Sequence, residues 1–199
     1  MTPLVVALDT DMLKALEVAR RLKDSVAGYK VGWDLILEGG VSAVSKISKF
    51  GKVIVDIKIA DIPPVSSRVI EKLVKSGACC VIVHGFLYPS IPRGPHIYIL
   101  LKMTVETMYD GVWGQLLEKT GDVRGVVLPG NQPEVIARAR KELGCRYRVI
   151  SPGIGPQGGT PGGAIRAGAD FEIVGRYVVE DLARVSQWAH YRPTCFTEI

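Results

Sequence analysis

The sequence predicts an α/β fold, a closed (β/α)8 or TIM barrel, and three observations support this. Eight short runs rich in β-branched residues recur along the 199 residues, helical patterns separate most of them, and no linker or composition shift divides the chain. Such alternation is typical of a parallel sheet covered by helices. We therefore expect one domain over residues 1–199. The predicted strands are Leu4–Leu8, Gly28–Trp33, Val53–Lys58, Cys79–His84, Ile97–Met103, Val123–Leu128, Tyr147–Ser151 and Phe171–Val174.

The helical segments are recognised by apolar stripes. The first carries Met12, Leu16 and Ala19, with Lys14 on the polar side, which fits a helical period. Asn131 has Glu134 three residues later, a spacing typical of a capping box, so Asn131 is predicted to cap a helix. An open doubly wound sheet is the alternative fold, because a strand count from sequence can be wrong by one or two.

The fourth βα unit is unusual. Only 12 residues separate His84 from Ile97, and they include Pro89, Pro92 and Pro95. A parallel crossover needs about a dozen residues, so the connection can just close. Because proline interrupts helices, a reduced or missing fourth helix is predicted here.

Composition excludes several classes of protein. With 47% hydrophobic and 23% charged residues the chain is not disordered, and no apolar run is long enough to cross a membrane. The amino-terminal segment has no basic region, so a cytoplasmic protein is expected. The net charge is +5, and the chain has no run of like charges of the kind typical of nucleic-acid-binding arms. We expect neither membrane nor nucleic acid as a partner.

Metal-binding patterns are absent from the sequence. The four cysteines, Cys79, Cys80, Cys145 and Cys195, have no CxxC spacing and are predicted to be inert thiols. The three histidines do not cluster, so no metal site is predicted. His84 ends the fourth predicted strand, where it either lines a pocket or makes a structural hydrogen bond.

Residues that can carry chemistry concentrate on the third predicted strand. Asp56 and Lys58 are two residues apart, so they share one face of the strand. A buried carboxylate and ammonium require each other or a ligand. Asp61 follows just beyond the strand, at the end of the barrel where such enzymes place their active sites.

Two further charged residues belong to the same end of the barrel. Lys30 lies on the second predicted strand and Asp9 ends the first. Together with Asp56, Lys58 and Asp61 they predict an alternating set of acids and bases at one rim. A purely structural ion-pair network is the alternative.

The loops after strands seven and eight have the composition of an anion site. Strand seven leads into the glycine-rich run from Pro152 to Gly163, and strand eight ends in Gly175-Arg176. In barrels these two loops often bind phosphate through backbone N–H groups and a guanidinium. Gly153-x-Gly155-x-x-Gly158 also matches a dinucleotide fingerprint, but it follows the seventh strand and not the first, so no nucleotide cofactor is expected.

These motifs resemble one family. Asp-x-Lys-x-x-Asp-Ile-Pro at 56–63, with a lysine on the preceding strand and an aspartate ending the first, is similar to orotidine 5′-monophosphate decarboxylases, especially the short archaeal type. The resemblance extends from Ala7 to Arg176. Two departures stand out: Pro64-Val65 replaces a frequent Asn-Thr, and Val105-Glu106 replaces a Pro-Gly pair.

The resemblance implies a cofactor-free decarboxylase of orotidine 5′-monophosphate (OMP) that releases UMP and CO2, with Lys58 as proton donor to C6. Asp56, Lys30 and Asp61 would complete the catalytic set, with Asp61 supplied to the neighbouring site of a homodimer. Thr104 would contact the pyrimidine, although it could equally be a helix cap. The other implied substrate contacts are Asp9, Ile62, Pro152, Gly153, Gln157, Gly175 and Arg176, with residues 152–163 as a closing lid.

Two other functions compete with this one. The first is a magnesium-dependent sugar-phosphate lyase or decarboxylase of the same superfamily, for which Asp34 is the only extra acidic ligand candidate near strand two. The second is a phosphate-binding barrel without catalysis.

Overall fold

The computed structural model describes all 199 residues and contains a closed barrel of eight parallel strands in chain order. Each strand pairs with the next, and β8 pairs with β1 through Val5 and Ile173. The predicted barrel is therefore confirmed, and the open sheet is not. The strands are β1 (Thr2–Ala7), β2 (Val26–Val31), β3 (Val53–Ile59), β4 (Cys80–His84), β5 (Gly94–Leu100), β6 (Val123–Val127), β7 (Arg148–Pro152) and β8 (Phe171–Val174).

Helices surround most of the barrel. Between β4 and β5 there is only one 3₁₀ turn, Gly85–Leu87, which confirms the reduced fourth helix. Two other 3₁₀ segments are Met108–Gly111 and Leu182–Trp188. The α-helices are α1 (Met12–Leu22), α2 (Trp33–Gly39), α3 (Val41–Ile47), α4 (Pro63–Lys75), α5 (Trp113–Glu118), α6 (Pro133–Leu143), α7 (Gly163–Arg166) and α8 (Arg176–Val179). No helix is long and apolar enough to cross a membrane.

The core has two parts, as the alternation of side chains along each strand requires. One part fills the space between the sheet and the helices, with Leu4, Val31 and Trp188 among its buried members. The other fills the barrel interior, with Tyr98 and Phe171. The interior part ends below the carboxyl-terminal rim, where polar side chains take over.

The boundaries of β5 differ from the prediction. The strand begins at Gly94, whose N–H donates to the Asp122 carbonyl, and it ends at Leu100. Met103, which was predicted to end the strand, therefore lies in the following loop, where Thr104 also lies. Thr104 caps no helix either, because the next turn is capped by Thr107.

The helix-cap prediction for Asn131 is wrong. The residue before α6 is Gln132, which makes no side-chain cap, and the Asn131 amide donates instead to two main-chain carbonyls in distant loops. A side chain that can cap locally was drawn into tertiary hydrogen bonds, which the local pattern does not reveal.

The prediction of four inert thiols is also wrong in part. Cys145 and Cys195 form a disulfide, whereas Cys79 and Cys80 are free. The bond joins the turn after α6 to the carboxyl-terminal segment. Fifty residues separate the two cysteines, so no local motif marks the pair.

The segment from Pro193 to Ile199 closes the amino-terminal end of the barrel. The Ile199 side chain is fully buried among interior residues. A Cβ on Gly28 would lie 2.6 Å from the Ile199 Cδ1 atom, so only glycine leaves room for it. Arg124 donates to the Ile199 carbonyl, and Arg148 Nε donates to the Glu198 carbonyl over 2.8 Å.

Candidate active site

A cavity of about 240 Å³ opens at the carboxyl-terminal end of the strands. Most of the predicted site residues line it, and they come from strands or loops of six βα units. Ile82, Leu100 and Val127 provide an apolar wall. The predicted residues at the cavity are Asp9, Lys30, Asp56, Lys58, Thr104, Pro152, Gly153, Gln157 and Gly175.

Four charged residues form a continuous chain along one side of this cavity. Lys30 Nζ lies 3.0 Å from Asp9 Oδ1 and 3.6 Å from Asp56 Oδ2. Lys58 Nζ lies 3.1 Å from both carboxylate oxygens of Asp56. The side chains of Lys30 and Asp56 are only 13% and 11% exposed, so these charges interact in a medium far less polarisable than water.

The backbone of β3 is irregular where it carries Asp56 and Lys58. The pairing of β3 with β4 shifts register between Val55 and Ile59, as at a β-bulge. Within that irregularity Lys58 has a φ of 47°, the left-handed conformation that costs energy for a residue with a Cβ. Backbone strain at such a position is typical of functional sites.

A glycine just after the neighbouring strand β2 keeps the space for this chain of charges. A Cβ on Gly32 would lie 3.0 Å from Asp9 Oδ1 and 3.6 Å from Lys30 Nζ. A larger residue would therefore press on the Asp9–Lys30 pair.

Three predicted residues, Asp61, Ile62 and Arg176, do not line the cavity of their own chain, and the first two lie just after β3. Both are exposed, and Ile62 is 63% exposed. The Asp61 carboxylate accepts a hydrogen bond from the Ile62 N–H over 2.7 Å, and its main-chain carbonyl accepts one from Ser66 Oγ. The carboxylate is thus held at the rim, outside the chain of charges with which the sequence grouped it.

The glycine-rich loop after β7 forms the opposite side of the cavity. Gly153, Gly155 and Gly158 have φ values of 98°, 84° and 97°, which only glycine adopts readily. The loop closes on itself, since the Gly159 N–H donates to the Gly153 carbonyl. Arg176 follows Gly175 in the first turn of α8 but is exposed and does not line the cavity.

A buried glutamate fixes the far end of this loop. The Glu172 carboxylate accepts hydrogen bonds from the N–H groups of Gly162 and Ala164, both 2.9 Å long, and from Trp188 Nε1 over 2.6 Å. Burial raises the pKa of this carboxyl group. Sequence reasoning missed Glu172, although a glutamate inside a short buried strand is itself a signal.

Sequence reasoning also missed Lys102. Its side chain is 5% exposed, lines the cavity and forms an ion pair with Asp110. Tyr98 and Leu100 belong to the barrel interior, so the alternation of the strand continued by two residues would have identified Lys102 as inward-facing.

His84 makes the structural hydrogen bond that was one of its two predicted roles. Its Nδ1 atom lies 2.7 Å from the Tyr109 hydroxyl, and its ring stacks on Phe86. It does not line the cavity. Burial, together with the nearby Lys58 ammonium, lowers the pKa of His84.

Asp34, the extra acidic ligand that a magnesium-dependent lyase would need, lies elsewhere. It is exposed in the first turn of α2 and is not among the cavity residues. No three His, Cys, Asp or Glu side chains of the chain are grouped so that they could hold a metal ion.

Comparison with known proteins gives one consistent family. The sequence model described as "Orotidine 5'-phosphate decarboxylase / HUMPS family" matches residues 2–191. The orotidine 5′-phosphate decarboxylase of Pyrococcus abyssi is 35% identical over 187 residues, which cover 88% of this chain and 90% of the relative.

Solved structures agree. The orotidine 5′-monophosphate decarboxylase of Metallosphaera sedula has a TM-score of 0.84 and 29% identity, covering 96% of this chain and 98% of its own. The enzyme of Methanocaldococcus jannaschii, solved with the inhibitor BMP, has a TM-score of 0.81 and 26% identity, covering 94% of this chain and 95% of its own. The chain therefore belongs to the orotidine 5′-phosphate decarboxylase / HUMPS family.

Proposed function

We propose that this chain decarboxylates OMP to UMP and CO2 without a metal or organic cofactor, and that Lys58 protonates C6. The observation that carries the proposal is the Lys30–Asp56–Lys58 chain of charges inside the cavity of a barrel of this family. The decarboxylase names of its relatives support it.

The chemistry requires a cation beside the reacting carbon. When the bond between C6 and the carboxylate breaks, CO2 leaves and the electron pair stays on C6, where no carbonyl is placed to delocalise it. The Lys58 ammonium can stabilise this charge and then transfer a proton from nitrogen to C6, which completes UMP. Asp56 holds the ammonium in place and would lie beside the departing carboxylate.

The remaining charges would bind the ribose. Lys30 contacts both Asp9 and Asp56, so it can donate to a ribose hydroxyl while it orients Asp56. The Asp9 side chain is 43% exposed and can accept a hydrogen bond from the ribose.

The glycine-rich side of the cavity would bind the rest of the nucleotide. Gln157, Gly175 and Arg176 would hold the 5′-phosphate, with Pro152 and Gly153 at the base of the loop and Thr104 against the pyrimidine. Closure of the loop would draw the exposed Gln157 towards the anion, which Arg176 of α8 would contact from the other side. Phosphate binding energy could in this way lower the barrier at the distant C6.

We further propose a homodimer in which Asp61 and Ile62 serve the partner's site. In one chain both side chains are exposed at the active-site rim and face no ligand cavity of their own. Exposed apolar residues follow the adjacent strands β4 and β5, and a groove of about 700 Å³ lies between them. A second copy would cover this apolar surface and bring Asp61 to its site. The exposed apolar residues that line this groove are Phe86, Tyr88, Met108 and Val112.

The competing functions receive less support. The lyase would need Asp34 at the cavity, and the structure places it elsewhere. A binding protein without catalysis would have no need of the Lys30, Asp56 and Lys58 charges, which are costly to bury. A cytoplasmic location, and the absence of membrane or nucleic-acid partners, stay predictions.

The first experiment is OMP turnover followed by ultraviolet absorbance in excess EDTA. We expect turnover, which would establish the decarboxylase and exclude the magnesium-dependent lyase. An enzyme active only after added magnesium would favour the lyase. No turnover in either condition, with UMP still bound, would favour the binding protein.

Mixing two inactive variants tests the shared site. Lys58→Ala and Asp61→Ala subunits, combined under conditions of shown subunit exchange, should regain activity through the one intact site of each mixed dimer. Absence of recovery would overturn the contribution of Asp61 across the interface.

A further inference from the structure

We propose that Asn131 is a positioning residue that couples the phosphate loop to the loop that contacts the base. The proposal rests on the proposed function, because it assigns the two loops to the phosphate and the pyrimidine. Asn131 follows β6 and does not itself line the cavity. It acts on the site only through its neighbours.

One side-chain amide joins two loops that are otherwise distant in sequence. Asn131 Nδ2 donates to the main-chain carbonyl of Thr104 over 3.0 Å and to that of Gln157 over 3.1 Å. Thr104 and Gln157 both line the cavity. The two hydrogens of a single NH2 group are therefore used on the two loops that face opposite ends of the nucleotide.

The backbone that carries Asn131 is held firmly. The Gly130 N–H donates to the Pro152 carbonyl over 2.6 Å, which ties the end of β6 to the end of β7. A Cβ on Gly130 would lie 2.9 Å from that same carbonyl oxygen, so glycine is required for this approach. The amide thus projects from a rigid element towards two loops.

The two loops also touch each other beside this amide. A Cβ on Gly153 would lie 2.6 Å from Thr104 Cγ2 and 3.4 Å from Asn131 Oδ1. Any outward movement of the phosphate loop must therefore break the hydrogen bond to Gln157 and loosen the contact with Thr104. Loop position and Thr104 position become linked through Asn131.

The other atom of the amide has no partner. Asn131 Oδ1 is buried and accepts no hydrogen bond. A leucine at this position would therefore keep the branched shape and lose only the two donors. That variant separates the hydrogen bonds from the packing.

The coupling has a direct thermodynamic readout. If phosphate binding orders its loop and Asn131 transmits this to Thr104, inorganic phosphate must strengthen uridine binding, and by reciprocity uridine must strengthen phosphate binding. We expect uridine to bind about fivefold or more tightly to the parent protein in saturating phosphate. Asn131→Ala and Asn131→Leu should reduce this factor to near one.

The variants must be compared with a neighbouring amide. Gln132→Ala removes a side chain that makes no cap and should retain the full coupling. Uridine affinity without phosphate should change less than twofold in all variants. A merely structural role of Asn131 would instead weaken uridine equally with and without phosphate. That result, or full coupling in both Asn131 variants, would overturn the proposal, as would a parent protein without coupling.

The test is independent of the reaction. OMP turnover by the parent protein decides the proposed function, whereas the uridine and phosphate titrations need no chemistry. A parent that turns over OMP while its Asn131 variants keep the coupling would refute only the role of Asn131.

Discussion

The Lys58 ammonium lies 3.1 Å from both carboxylate oxygens of Asp56, while Lys30 approaches the same carboxylate at 3.6 Å. One carboxylate with an 11% exposed side chain therefore orients two lysines. The arrangement presents a fixed cation to the cavity without leaving Asp56 unpaired when either lysine is removed. The effect of removing Lys58 on catalysis can therefore be measured without leaving a buried carboxylate unpaired.

Lys58→Ala should lower kcat for OMP by about a thousandfold or more, because the variant lacks both the proton donor and the cation at C6. The fold should persist, since Lys30 still pairs with Asp56. Absorbance assays and circular dichroism measure the two effects. Lys49→Ala, at an exposed position, should behave as the parent. Near-normal turnover of Lys58→Ala would show that another group donates the proton.

Arg176→Ala should weaken UMP binding by about tenfold to a hundredfold and leave uridine binding unchanged, because a guanidinium on a phosphate makes a charge-assisted pair. Calorimetric titration with both ligands measures this. Arg166→Ala serves as control, since Arg166 is exposed on α7 and contacts Tyr191. Equal UMP affinity in Arg176→Ala and the parent would remove Arg176 from the phosphate site.

Asp110→Ala should reduce the free energy of unfolding more than the double variant Lys102→Met with Asp110→Ala. The single variant leaves the buried Lys102 ammonium without its partner, whereas the double variant removes that charge. Urea denaturation of the three proteins measures the difference. A double variant less stable than Asp110→Ala would mean that Lys102 is stabilised by groups other than Asp110.

His84 should make stability depend on pH in the acid range. Its folded pKa is lowered, chiefly by burial, so below about pH 6.5 the unfolded chain binds a proton before the folded protein does. The free energy of unfolding should therefore fall as the pH drops from about 6.5 towards the folded pKa. His84→Gln should flatten this slope, and His190→Gln, at an exposed position, should not. Identical slopes for His84→Gln and the parent would contradict the assignment.

Reduction of the Cys145–Cys195 disulfide should cost about 2–4 kcal/mol of stability, the usual effect of a cross-link that closes a loop of this order. Turnover of the folded protein should not change, because the bond lies far from the charged rim. Denaturation with and without reductant measures the cost, and Cys145→Ser should match the reduced parent. Cys79→Ser, at a free thiol, should keep the effect of reductant. A reduced protein as stable as the oxidised one would contradict this.

Much of the fold could be predicted because barrel strands are short, apolar and evenly spaced. The reduced fourth helix was also predictable from local sequence, since Pro89, Pro92 and Pro95 leave little room for a helix. The ends of β5 were not, because pairing of Gly94 with β6 is a tertiary event. The Asn131 cap failed for a related reason: two distant carbonyls accept from its NH2 group and orient the side chain, so its oxygen does not cap the helix.

The candidate site was partly accessible from sequence. The two-residue period of a strand predicted that Asp56 and Lys58 lie on one face. The common direction of parallel strands predicted that Asp9 and Lys30 lie at the same end of the barrel. Asp61 was grouped with them because sequence distance does not show which way a rim residue points. Lys102 belongs to no motif, and it lies two residues beyond the end of β5, where the inward alternation of the strand continues. The disulfide joins residues whose proximity only the folded tail creates.

The carboxyl-terminal segment and its covalent bond lie at the opposite end of the barrel from the charged cavity. The contacts of the carboxyl-terminal segment, which stabilise the barrel, and the proposed catalytic groups therefore lie at opposite ends of one molecule. Changes around Gly28, Arg124 or Cys195 would alter how long the protein survives heat without retuning its catalytic groups. The geometry of the charged rim would stay as it is. Single substitutions at the carboxyl-terminal segment could therefore adjust thermal stability during evolution without altering the reaction.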